Sequence, residues 1–171
     1  MKRKVIMLIA LVCAIAMQAA EQFVCFEKRD GAVSITNATI CYSEQEWEGV
    51  KIAARNLQND MLMVLGNKPQ LTENAADATI LVGTVGKNKE IDKLMLKQLQ
   101  GKREQFVITT VGNKVIVAGS DKRGTIYGIY ELSRQLGVSP WYWWADAPIE
   151  KHKEAYVANG TFTDGEPAVE F

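Results

Sequence analysis

The stretch Gly119–Asp146 reads GSDKRGTIYGIYELSRQLGVSPWYWWAD, and the rest of the chain is organised as its support. A strand ends in a polar loop bounded by Gly119 and Gly124. A helix over Thr125 to Leu136 follows, with Ile126, Ile129, Tyr130, Ser133 and Leu136 as its inward face. Gly137 and Pro140 stop it. Trp141-Tyr142-Trp143-Trp144 comes next and holds all but one of the four tryptophans. If the run is extended, Trp141 and Trp143 face one way and Tyr142 and Trp144 the other. One face of such a ribbon would meet another domain, a sugar ring or a partner.

Working outward, the segments 23–27, 32–36 and 38–42 read as short strands. Ser43 to Glu46 has the spacing of a capping box, and it opens the strongest helix pattern in the chain. Trp47, Val50, Ala54, Leu57, Met61, Val64 and Leu65 draw one apolar stripe, ended by Gly66 and Pro69. Ala78 to Gly83 (ATILVG) is a continuous apolar run, as in a strand covered on both faces. Lys87 to Gln100 reads as a second amphipathic helix with Ile91, Leu94, Met95 and Leu99 inward. Gln105–Val111 and Lys114–Ala118 form a hairpin through Gly112-Asn113, which suits a type II′ turn. The order predicts an α/β fold, a mixed β-sheet with helices packed on it.

Length and composition fit one domain with a real core, since 171 residues are 47% apolar. Lys2-Arg3-Lys4 followed by the apolar Val5–Met17 predicts a signal peptide over 1–20 and a periplasmic or secreted protein. Its removal leaves 17 basic against 20 acidic residues, a net charge of −3 that disfavours nucleic acid and, after cleavage, an acidic membrane surface. Cys25 and Cys41 then remain, read as buried small hydrophobes, although an oxidising compartment permits a bond between them. The α/β accessory domain is expected over 21–146. Residues 147–171 read as a connector whose end, TFTDGEPAVEF, starts a further strand.

Familiar catalytic patterns are absent. His152, the one histidine, lies in the polar Lys151-His152-Lys153. No His/Cys cluster has metal-ligand spacing, and no cofactor is implied. Lys122 and Arg123 sit where a helix N-terminus is positive, so an anion could bind there; the other reading is that Asp121 or Ser120 caps the helix and the basic side chains are solvated. Asp146 is the one acid set against the aromatic run, either touching ligand or capping Ala147-Pro148.

The whole stretch from Gly119 to Asp146 resembles the signature segment of glycoside hydrolase family 115, the xylan α-glucuronidases. A looser form with Tyr127-Gly128 recurs in the N-terminal domains of families 67 and 20, the latter hexosaminidases. The resemblance implies an α/β N-terminal domain preceding a (β/α)₈ catalytic barrel, which would begin near PAVEF and supply the acid and base. It implies release of (4-O-methyl-)glucuronic acid from xylan side branches with inversion. No catalytic residue carries over to this chain. Lys122, Arg123, Trp141, Trp143, Trp144 and Asp146 become candidates for the domain–barrel interface or for a glucuronate-bearing xylan oligosaccharide, because a cationic loop suits a uronate carboxylate. The competing reading is a stand-alone carbohydrate-binding or interaction module that uses the tryptophan run.

Overall fold

A computed structural model describes residues 22–168, so the expected signal peptide and the last three residues of PAVEF lie outside the described residues. The strands are β1 (Val24–Cys25), β2 (Val33–Ser34), β3 (Thr39–Cys41), β4 (Gln70–Thr72), β5 (Ile80–Thr84), β6 (Phe106–Val111), β7 (Lys114–Gly119), β8 (Tyr156–Val157) and β9 (Thr161–Phe162). The helices are α1 (Glu48–Leu65), α2 (Lys89–Lys93), α3 (Lys122–Gln135) and α4 (Tyr142–Ala145), with a 3₁₀ turn at Lys97–Leu99.

Six strands form the main sheet in the order β4-β3-β5-β7-β6-β9. The first four are parallel, and β6 and β9 add on antiparallel. The sheet is therefore mixed, with helices packed on it. The continuous apolar run does what it predicts: every residue of β5 is buried, between two parallel neighbours. Alternation then sorts its side chains. Ile80 and Val82 face the larger cluster beneath α1 and α3, and Leu81 faces a smaller one with Ile91, Leu99 and Ile116.

α1 follows its predicted stripe from Val50 onward, whereas Trp47, read as its first member, is the N-cap and lies 46% exposed. Val50, Ala54, Leu57, Met61 and Val64 are buried, and Gly66 ends the helix in the left-handed conformation, donating to the Leu62 carbonyl. The hairpin also holds: Val111 pairs with Lys114, and Gly112 takes φ 57° at the first turn position. Cys25 and Cys41 are free and buried, in different sheets.

Four further expectations are corrected. The stretch Lys87–Gln100 is not one helix. It breaks after α2, where Met95 turns at φ 48° and lies 69% exposed instead of inward. An unbroken helix would hold Ile91 and Leu99 about 12 Å apart along its axis; the break brings both onto the same small cluster. Tyr130 points outward, accepting a hydrogen bond from Asn56 Nδ2 at 2.8 Å, and Leu132 is buried in its place. α3 begins a turn earlier than predicted, at Lys122, because Asp121 caps it.

The fourth correction concerns the expected connector. Ala155, Tyr156 and Val157 are buried, and β8 is the middle strand of a second, antiparallel sheet, β1-β8-β2. Each of its strands has two residues, too few to print a period on the sequence. β9 closes the edge of the main sheet against β6. His152 is held too: its ring stacks on Phe26 with centroids 3.4 Å apart, and its backbone N–H donates to the Val64 carbonyl.

α3 lies unusually close to the hairpin. A Cβ on Gly124 would run into the backbone carbonyl of Gln105, which is itself fixed by the Ser120 N–H at 2.9 Å. One on Gly128 would meet Phe106 Cβ at 3.0 Å. We expect Gly124→Ala to destabilise the chain by about 2–3 kcal/mol, since neither backbone can retreat, and Gly128→Ala by less. Denaturant unfolding of both variants checks the ranking.

Candidate functional site

Parallel sheets offer ligands a crevice at the carboxyl ends of their strands, where successive connections leave in opposite directions. Here that point lies between β3 and β5, because β4 returns on one side of β3 and β5 on the other. The chain's own carboxylate takes the position at the end of β5, beside a pocket of about 340 Å³ lined by Cys41, Ser43, Glu73, Lys87 and Asn88. Glu46 is 5% exposed, and its Oε1 accepts from the Thr84 N–H at 2.6 Å while Oε2 accepts from Thr84 Oγ1 at 2.9 Å. Thr84 Oγ1 lies 2.7 Å from Thr125 Oγ1 on α3, which reaches the Asp121 carbonyl at 3.0 Å. Burial pushes the Glu46 carboxyl above the ordinary range, against the opposing pull of the Thr84 hydrogen bonds.

This corrects the capping box. Ser43 Oγ accepts from Gln45 two residues on, a local turn, and α1 starts at Trp47 with no side-chain cap. Glu46 leaves the local bond for a tertiary partner, which no spacing rule reveals.

The second inherent anion position, the N-terminus of α3, is filled in the same way. Asp121 Oδ1 accepts from Gly124 N–H at 2.8 Å and Oδ2 accepts from Glu104 N–H at 2.7 Å. Arg123 Nη1 donates to Glu104 Oε1 at 2.7 Å, and Lys122 is exposed beside it. Of the two readings of this loop, capping by Asp121 is the geometry present.

The aromatic run is not a ribbon. Ser139 Oγ accepts from Trp141 N–H at 3.1 Å, and the Trp144 and Ala145 N–H groups return to the Trp141 carbonyl. A turn of helix, α4, results. Trp141 and Trp144, three apart, share a side instead of opposing each other. They are 66% and 84% exposed. The side chain of Trp143 lies outside the described residues. Asp146 is exposed and ends the turn at φ 46°. The structure does not bring the candidates together: Lys122 and Arg123 stand at one end of α3 and the tryptophans beyond the other, about 21 Å along a helix of 14 residues.

Beside the aromatic turn, α1 and α3 leave a groove of about 590 Å³ lined by Asn56, Asp60, Met63, Tyr130, Ser133 and the Val138-Ser139-Pro140 loop. Sequence periodicity misses it, because Tyr130 reads as an inward residue. Burial holds the Asp60 carboxyl above its ordinary pKa. Among the described residues no group of three or more His, Cys, Asp or Glu is placed to hold a metal ion, and no helix is long and apolar enough to cross a membrane.

The family profile described as Glycosyl hydrolase family 67 N-terminus matches residues 24–132. A search of curated proteins gave no match. Among solved structures, one similar chain is BtGH115A, described as a family GH115 4-O-methyl-alpha-glucuronidase with specificity for decorated arabinogalactans. It is 34% identical with a TM-score of 0.68, over 83% of this chain and 18% of that one. A mutant Streptomyces plicatus beta-hexosaminidase in complex with GlcNAc shares the fold at 13% identity and a TM-score of 0.52, over 78% of this chain and 23% of that one. The chain thus spans under a fifth of the length of the glucuronidase chain it matches.

The Glu46 contact gives a pH test. Its folded pKa lies above the unfolded one, so the folded chain takes up the proton first. Its stabilising contribution is complete below the unfolded value and is lost as pH rises through the folded value. In Glu46→Gln the amide can donate to Thr84 Oγ1, which then donates to Thr125 and Thr125 to Asp121. We expect this variant to match or exceed the native melting temperature at pH 7 and to lose less stability between acid and neutral pH. Glu46→Ala, which strands the buried Thr84 N–H, should cost about 1–3 kcal/mol. Thermal unfolding across pH, followed by circular dichroism, checks both.

Proposed function

Because this chain belongs to the Glycosyl hydrolase family 67 N-terminus family, we propose that it is the accessory front domain of a secreted α-glucuronidase whose catalytic barrel follows Phe171. The enzyme would remove (4-O-methyl-)glucuronic acid from plant polysaccharide. Xylan is the substrate that the Gly119–Asp146 resemblance implies, and decorated arabinogalactan the one that the specificity of BtGH115A suggests. The domain would brace the barrel and be inactive by itself. Export follows from Lys2-Arg3-Lys4 and the apolar Val5–Met17, which together have signal-peptide form.

One observation supports the bracing role above others: Trp141 and Trp144 stand largely in solvent on the turn that follows Pro140, a residue lining the α1–α3 groove. Two indoles side by side are costly to leave in water and are the residue type that anchors interfaces. The Thr84 and Gly124 N–H groups, where an anion could bind, are meanwhile taken by internal carboxylates. That combination suits a domain that docks better than one that reacts. The same tryptophans would serve a stand-alone module as a sugar platform, and that is the second reading.

The test compares this chain with the longer product of its reading frame on glucuronoxylan and on glucuronate-decorated arabinogalactan. We expect the longer protein to release glucuronic acid from one of them and the 171-residue chain to release none. Release by the short chain would refute the accessory role. Binding of polysaccharide by the short chain, with a change in tryptophan emission and no downstream barrel, would establish the platform reading instead.

A further inference from the structure

The groove between α1 and α3 holds two polar groups, Ser133 and Asp60, that have little besides each other to bond to. Ser133, on α3, is 3% exposed, and its hydroxyl makes no hydrogen bond of normal geometry. It is near enough to the Asp60 carboxyl on α1 to offset part of the effect of burial there, but no cation contributes at Asp60. A buried hydroxyl and a half-buried carboxylate are both costly to leave without donors. Among the described residues Asp60 is the one charged residue lining the groove. Met63, Val138 and Pro140 give the walls apolar stretches, with Asn59 and Ser139 as further neutral polar residues. Neutral polar capacity is partly used already, since Asn56 Nδ2 donates to the Tyr130 hydroxyl.

The lining therefore complements a definite chemistry: a cation rich in N–H donors, carried on an apolar stem. We propose that the groove receives an arginine side chain from the catalytic domain, its guanidinium bridging Asp60 and Ser133 and its stem lying along Met63, Val138 and Pro140. The planar guanidinium can direct separate N–H groups at the two oxygens, which a lysine ammonium does less well, and its weaker hydration suits a half-buried site. The stem covers apolar wall while the head keeps its polar contacts. Ser139 and Pro140 form the rim and lead directly into Trp141, so the arginine and the indoles would be anchors of one continuous interface. This inference rests on the accessory-domain reading above and adds to it the residue that locks the two domains.

The experiment uses this chain and the longer product of its reading frame, each in native form and as Asp60→Asn and Ser133→Ala. Two readouts are taken: the unfolding midpoint of the N-terminal domain and the acrylamide quenching of tryptophan. With the arginine in place, Asp60→Asn lowers the midpoint in the longer protein by about 4 °C or more. In the short chain the same change leaves it unaltered or raises it, because there a desolvated charge with no cation is being removed. Ser133→Ala should show a smaller loss that is again larger in the longer protein. Equal effects of Asp60→Asn in the two proteins, with tryptophan quenching reduced in the longer one, would overturn the arginine and keep the docking. Identical quenching in both proteins would overturn docking and arginine together. Polysaccharide binding by the short chain that Asp60→Asn abolishes would also overturn the proposal and make the groove a sugar site.

Discussion

The buried Glu46 carboxylate fixes how the layers of this domain meet. It comes from the turn before α1, binds the end of β5 through Thr84, and through the Thr84–Thr125 contact reaches the first turn of α3. Three elements distant in sequence are joined at the carboxyl end of the interior strand β5. Thr84 itself is paired in register with Gly119, so the loop that begins at Gly119 starts from a fixed point. The cost of burying the acid is visible in its raised pKa, and the short bonds from Thr84 offset part of it.

That contact also uses a position where open sheets commonly bind ligands. An open parallel sheet normally presents an empty crevice at its strand ends, and a helix N-terminus presents unpaired N–H groups. This chain fills the first with Glu46 and the second with Asp121. Both fillings are intramolecular and well aligned, so a small anion entering either place would first have to displace a carboxylate already held there. The fold also leaves open a groove on the outer side of the two long helices and the exposed turn that follows α3.

The packing shows the same asymmetry. One face of the sheet carries α1 and α3 over a large cluster, and the other carries only the short α2 and a 3₁₀ turn over a small one. α3 approaches the hairpin closely because Gly124 and Gly128 present no side chain to it. A helix seated so low turns its outer residues, Tyr130 among them, toward α1 and the solvent, and the groove follows from that placement. Interaction surface and close glycine packing are thus two consequences of one arrangement.

By itself the sequence determined the elements whose patterns are long. The eighteen-residue α1 with its Gly66 stop, the buried run of β5, the Gly112 hairpin and the strand-loop-helix at Gly119 are all legible, because several residues of each repeat one periodic choice. The Asp121 cap was legible as one of two readings. Tertiary structure alone decided the rest. β8 is two residues long and gains its place only from partners more than a hundred positions away. Glu46 has the spacing of a local cap and takes a distant partner, Thr84. The tryptophan run has an alternating look but closes into a helical turn, since the Ser139 hydroxyl holds the Trp141 N–H. In each case a local preference worth about 1 kcal/mol is outweighed by burial or pairing that exists only once the chain has folded.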